Sequence, residues 1–270
     1  EAPFHKYIRL AGFGQYDNPL QYGGIMGGSA LLALSEFFQA RRRVRQIGLL
    51  LVLGALVLSL VLTMSRGPIL FFFAVSAIVA ACYRAQWRRT LLLITLAGTA
   101  ALPFVLHPAG QAVLEFNVSR PSHRPVIWST VMAEMPGKAL IGQGWRDDQS
   151  VHTPEMRFSH PHNFLLAIYR FSGLVGLTLF LAMTGLLFYR CAQLGRDIAV
   201  PLGAWLLYGI CLHLTNGRFP VSAPGNDWYF YWLPAATIFG FALPLGSRQA
   251  RREGVVANNG AKAAARRDLY

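Results

Sequence analysis

The 270-residue chain reads as long apolar runs divided by short polar seams. A helix needs about 20 apolar residues to cross the hydrocarbon core of a bilayer. Runs of that kind fall near 20–39, 46–64, 68–83, 90–106, 173–190, 198–215 and 228–246, the third and fourth being the shortest. The pattern predicts an all-α, polytopic transmembrane helical bundle of seven spans. Residues 1–19 are a loop, 20–106 carry four spans, 107–172 form a large loop, 173–246 carry three spans, and 247–270 are a polar, basic tail. A chain that opens at Glu1 on what reads as an inter-span loop is expected to continue upstream into further spans. Neither an internal repeat nor a heptad pattern is visible.

Composition agrees with this reading. Hydrophobic residues make up 54% of the chain and charged residues 14%, against roughly 25% charged in ordinary soluble domains. The mean hydropathy is +0.38. A net charge of +13 raises the question of nucleic acid, which the placement of the charges answers. "RRRVR" (41–45), "RAQWRR" (84–89), "RCAQLGR" (190–196) and the tail from Arg248 hold 15 of the 25 basic residues, all on one side of the seven-span arrangement. The other side carries 10 basic residues against 8 acidic ones, spread over longer loops. Lys/Arg enrichment in short loops marks the cytoplasmic side. The excess is thus a topological signal and a contact for anionic lipid headgroups, not a nucleic-acid footprint. Cys82, Cys191 and Cys211 lie in or beside apolar runs without metal-ligand spacing, so they read as buried thiols.

Chemistry is therefore sought on the opposite face. A loop of the length of 107–172 usually carries function. Arg66, in "TMSRGPIL", stands at the outer end of a span; it either snorkels to the interface or serves a ligand there. "SRPSHRPVIWSTVMAEMPGKALIGQGW" (119–145) offers Arg120 and Arg124, then an amphipathic helix ended by Pro136-Gly137, then a flexible Gly142-Gln143-Gly144 turn. It reads either as a basic loop before a helix lying on the membrane, or as guanidiniums that grip a phosphate bidentately. Asp147 and Asp148, with His152, His160 and His162 nearby, invite a metal reading. Adjacent aspartates point apart in most backbones, so no metal is expected.

In "SHPHNFLL", Pro161 favours extended backbone, which would let His160 and His162 face one pocket. Asn163 can cap the helix that follows, "FLLAIYRF", which contains Arg170. A neutral imidazole near such a pocket suits removal of a proton from a sugar hydroxyl. "GRFPVSAPGNDWYFYW" (217–232) adds Arg218 and Asp227, and an aromatic group, Trp228, Tyr229, Tyr231 and Trp232, that reads as an interfacial belt.

The ordered set of "NP" (18–19), "SRG" (65–67), "RPVIW…P…GQGW" and "HPHNFLL…GLVGL" resembles the O-antigen ligase and polymerase superfamily of membrane glycosyltransferases, over nearly the whole chain. The resemblance implies that this is the C-terminal part of a protein of about a dozen spans in the bacterial inner membrane, with its active site facing the periplasm. It implies transfer of a glycan from undecaprenyl diphosphate to a lipid A–core sugar hydroxyl, inverting and without metal or other cofactor. Polymerase and protein O-oligosaccharyltransferase activities share that chemistry and differ in acceptor. The resemblance also implies that Arg66 and Arg124, or Arg120 in place of Arg124, contact the diphosphate, and that a histidine of the His-x-His-Asn element is the base. His162 is favoured, with His160 as helper, and Asn163, Arg170 and Arg218 are further candidates. A transporter or flippase would instead place ionisable residues in mid-span and repeat its halves; the spans here are nearly free of charge.

Overall fold

A computed structural model describes residues 9–12, 17–106, 122–145, 148–154, 156–218 and 228–242, and the single positions 111, 115, 119 and 225. It is a helical membrane-type bundle. The helices are α1 (Pro19–Gln39), α2 (Arg43–Leu62), α3 (Arg66–Cys82), α4 (Trp87–Leu106), α5 (Arg124–Ala133), α6 (Phe164–Ala192), α7 (Arg196–Asn216) and α8 (Leu233–Ala242). A 3₁₀ turn (Arg84–Gln86) joins α3 to α4, and a π-helical turn (Trp228–Trp232) leads into α8. A two-residue hairpin pairs β1 (Val151–His152) antiparallel with β2 (Arg157–Phe158).

A helix stands at each of the seven apolar runs. Among the described residues, α2, α6 and α7 are long and apolar enough to cross a membrane. The third and fourth runs, α3 and the first part of α4, are bent by 94° where they meet, and pass the same test only as one bent pair.

Local chemistry sets the helix starts. Asn18 accepts from the Leu20 amide at 2.9 Å, with Pro19 in the first turn of α1. Asn163 does the same for α6, accepting from the Leu166 amide at 3.1 Å. An oxygen on the N-cap satisfies amide donors that the helix itself cannot.

Helix α1 lies at the centre, packed on α2, α3 and α7. Its small-residue run, Gly23, Gly24, Gly27 and Gly28, is buried. Cβ atoms there would strike Thr63 from Gly23, Phe230 from Gly24 and the Tyr208 hydroxyl from Gly27. Lipid is as apolar as leucine, so helices in a bilayer associate by close packing rather than by hydrophobic expulsion, and small residues permit it. The aromatic turn 228–232 enters this packing. Tyr231 and Phe230 are buried, and the Tyr229 hydroxyl bonds Ser29 at 3.0 Å. This corrects the expectation of an interfacial belt: of the four residues proposed for it, Tyr229 and Tyr231 serve the interior, while Trp228 remains exposed.

The bundle has two chemically distinct ends. At one, Gln39 of α1 donates to the Tyr83 hydroxyl and to the Asp197 carbonyl, and Arg89 donates to the carbonyls of Phe37, Phe38 and Ala40. Arg45 pairs there with Glu36. The other end gathers the starts of α1, α3, α5 and α6 with the last turn of α7.

Candidate functional site

The α2–α3 turn presents Arg66. It is compact: Thr63 and Ser65 are buried, and Met64 takes a left-handed φ of 49°. Arg9 braces it from the preceding loop, with Nε donating to the Thr63 carbonyl at 2.9 Å and Nη2 to the Ser65 hydroxyl at 2.8 Å. Arg66, exposed, is the first residue of α3, and its neighbour Gly67 lies against the Thr215 side chain.

Helix α5 opens on Arg124-Pro125. Its buried residues, Ile127 and Val131, pack on Val151 of the hairpin and on Trp128, Phe158 and Leu166. That packing binds one face of the helix to its own loop. The Trp128 indole N–H donates to the Pro161 carbonyl at 3.1 Å, tying α5 to the histidine segment. The Arg124 Nε donates to the Thr215 carbonyl at 2.7 Å.

The Gly-Gln-Gly turn is pinned rather than flexible. Helix α6 breaks at Gly173 (φ 62°, ψ −162°), a conformation open essentially to glycine. The break leaves backbone groups without helical partners, and residues 139–144 fill it. Gln143 N–H donates to the Arg170 carbonyl (2.8 Å) and Gly144 N–H to the Phe171 carbonyl (3.0 Å). Leu174 N–H donates to the Ala139 carbonyl (2.9 Å) and Val175 N–H to the Leu140 carbonyl (3.2 Å). A Cβ on Gly142 would strike the Phe171 backbone, and one on Gly173 the Leu140 carbonyl. Arg170 locks the same joint. Its guanidinium, buried, pairs with Glu134 (2.7 and 2.9 Å) and donates to the carbonyls of Gln149 (3.2 Å) and Ser150 (3.0 Å).

The two histidines come together, though not on extended backbone. His162 is left-handed (φ 56°), so the strand-like geometry read from Pro161 fails at that residue. The reason is local: His162 directly precedes the Asn163 cap, and the chain must turn sharply into α6. A non-glycine residue there stores strain of order 1–3 kcal/mol. The rings of His160 and His162 lie with centroids 4.1 Å apart, tilted by 42°. His160 Nδ1 is 2.9 Å from the Ser159 hydroxyl, and His162 Nδ1 is 3.0 Å from the side-chain oxygen of Asn216.

Burial, then the neighbouring His162, then the Arg218 charge push the His160 pKa down to about 3, partly opposed by a bond with the Asn216 backbone. Burial lowers the His162 pKa as well, aided by Arg124 and opposed by the Asn216 side chain. Burial thus favours the neutral form of both rings, and a neutral ring can accept a proton.

Of the other candidates, Arg218 is exposed just beyond α7, and Arg120 lies outside the described residues, as do Asp147 and Asp227. Asp148 accepts from the Ser150 amide and pairs with exposed Arg157, both at 2.9 Å, and these contacts hold its carboxyl at a pKa of about 2. Among the described residues no three His, Cys, Asp or Glu side chains are grouped as metal ligands require.

The end of α7 is what the sequence reading missed. Thr215 receives Arg124 and borders Gly67, Asn216 receives both histidines, and Gly217 leaves room for Phe164 at the start of α6. "LTNGRF" reads only as a helix-ending Asn-Gly pair, and nothing local marks Asn216 as partner to a histidine 54 residues earlier.

No protein-family model and no solved structure matches the chain. Over 250 residues, or 91% of this chain, it is 26% identical to a Pseudomonas aeruginosa protein named O-antigen ligase, of whose length it spans 60%. The chain is thus similar to an O-antigen ligase along nearly all of its length, and the resemblance read from its motifs stands.

Proposed function

We propose that the protein is a glycosyltransferase of the O-antigen ligase type, working in the bacterial inner membrane with its site on the periplasmic face. The donor is a glycan on undecaprenyl diphosphate and the acceptor a hydroxyl of the lipid A–core. The proposed topology is the seven-span arrangement, with the arginine-rich end in the cytoplasm and residues 107–172 as the periplasmic loop.

One observation carries this reading. Arg124 and the His160–His162 pair meet on Thr215 and Asn216, at the end of the bundle away from the arginine-rich seams. A diphosphate needs fixed positive charge as it leaves. Arg124 and Arg66 each open a helix, and the side chains of the N-cap residues, Ser65 and His123, make no capping bond to their helices. Helix starts favour anions, and an arginine at each strengthens the field. Such groups stabilise leaving-group charge as a divalent metal does elsewhere.

His162 Nε2 takes the proton of the acceptor hydroxyl while that oxygen bonds to the anomeric carbon. The bond from that carbon to the diphosphate oxygen breaks, and undecaprenyl diphosphate departs with the electron pair. Attack opposite the leaving group inverts the anomeric centre. The test is transfer by the full-length protein in membranes, with lipid-linked donor, rough lipopolysaccharide and EDTA. The expected result is ligation that survives EDTA and is lost in His162→Ala and Arg124→Ala. Loss with EDTA, or lengthening of the donor without ligation, would overturn the metal-independent or the ligase reading respectively.

A further inference from the structure

A histidine base works only in one tautomer. Nε2 must carry a lone pair, so the ring proton must sit on Nδ1. A free neutral imidazole favours the opposite tautomer, with its proton on Nε2. Something must therefore hold the proton on Nδ1 of His162.

The acceptor at Nδ1 is the side-chain oxygen of Asn216, 3.0 Å away. Asn216 is the final residue of α7, and its support is rigid. The Gly217 amide closes the last turn onto the His213 carbonyl at 2.9 Å. His213 is buried between Phe164 and Phe230, with ring centroids 5.7 and 5.6 Å away. The preceding carbonyl, that of Thr215, holds Arg124. One short segment thus orients both groups to which the reaction is assigned.

We propose that Asn216 is a positioning residue, which fixes His162 in the Nδ1–H tautomer and aims its Nε2 at the acceptor hydroxyl, an inference that rests on the reading of His162 as base. Asn216 touches no substrate in this scheme and acts through the imidazole alone.

The charged and titratable groups around His162 set the pH response. His160 faces it from its own segment, Arg124 from α5, and Arg218 lies beyond α7. His123 packs on Phe158, which also touches His162. His213 sits behind Phe164, and Arg66 opens α3 beside Gly67 at Thr215. Arg124 disfavours the imidazolium and the Asn216 oxygen favours it.

The experiment is the pH dependence of kcat and KM for glycan transfer by the full-length protein in membranes, at matched expression and thermal midpoint. Wild type is compared with Asn216→Ala, Asn216→Asp and, as reference, His162→Ala. Asn216→Ala is expected to lower kcat on the order of 10²- to 10⁴-fold, leave KM for the donor near wild type, and move the acid limb to lower pH. Asn216→Asp keeps an acceptor at Nδ1 and adds a charge that favours the imidazolium. It is expected to recover most of kcat and to move the acid limb to higher pH. If His162→Ala is inactive but both Asn216 variants keep wild-type kcat and acid limb, the positioning role is overturned and the base reading survives. If Asn216→Asp is as slow as Asn216→Ala with its acid limb unmoved, Asn216 is mere scaffolding. If His162→Ala transfers normally, the base reading fails and the role of Asn216 falls with it.

Discussion

The two ends of the bundle use the same residue for different work. At the arginine-rich end, Arg89 donates to three carbonyls that close α1, and its charge lies over the Phe37 ring. A cation at a helix C-terminus meets orphan acceptors and the negative end of the dipole, so the arrangement stabilises the fold. At the opposite end, Arg66 and Arg124 stand at helix N-termini, where the dipole opposes them. Among the described residues the left-handed non-glycine positions, Met64 and His162, also lie there. Backbone strain gathered at one end is a feature that packing alone does not select, and an anionic ligand would offset the charge that Arg66 and Arg124 place against their helix dipoles. Arginine therefore says little by type or by helix end alone, since Arg43 and Arg196 also open helices at the arginine-rich end; what sets Arg124 apart is that it shares the end of α7 with the histidine pair.

That contrast can be broken most directly at His162. His162→Ala should reduce transfer by about 10²- to 10⁴-fold, the range for losing a general base, while the thermal midpoint in detergent stays near wild type. A large fall in stability with activity kept per folded molecule would return this histidine to structure.

Arg170 sharpens the contrast within the site end, since its four bonds are all internal. Arg170→Met removes the charge that pairs with Glu134, leaving it only the Gln143 side-chain amide, and is expected to cost about 3 kcal/mol of stability, seen as a lower midpoint. Transfer per folded molecule should change little. Loss of transfer at unchanged stability would make Arg170 a substrate contact.

Gly173→Ala tests whether the docked turn holds the loop. The left-handed backbone and the Leu140 carbonyl both oppose a Cβ, so a loss of about 1–3 kcal/mol is expected. Proteolysis within 139–144 should rise with it. Arg89→Ala at the far end should cost about 1 kcal/mol and spare transfer.

A further test concerns pH. Burial and the neighbouring His162 push the His160 pKa down to about 3, against an ordinary value near 6.5. As pH falls below 6.5 the unfolded chain takes up the proton first, so stability drops until pH approaches 3. His160→Gln should flatten that part of the midpoint-against-pH curve. An unchanged slope would mean that His160 is solvated as an ordinary histidine is.

Much of this was open to reading along the chain. Apolar runs predicted where helices form, Asn163 announced its cap, and the arginine seams marked one end of the bundle. All of these depend on residues within a few positions of each other. The sequence by itself also determined which residue types could do the chemistry, a histidine pair and arginines beside helix starts. Tertiary structure decided the rest: that Asn216 meets His162, that Thr215 holds Arg124, that the Gly-Gln-Gly turn closes the break at Gly173, and that the aromatic turn lies inside. The physical reason lies in the solvent. In lipid, inward and outward faces of a span are both apolar, so hydropathy does not reveal which faces meet. Close packing and polar bonds across more than 50 residues choose them, and those exist only once the helices are assembled.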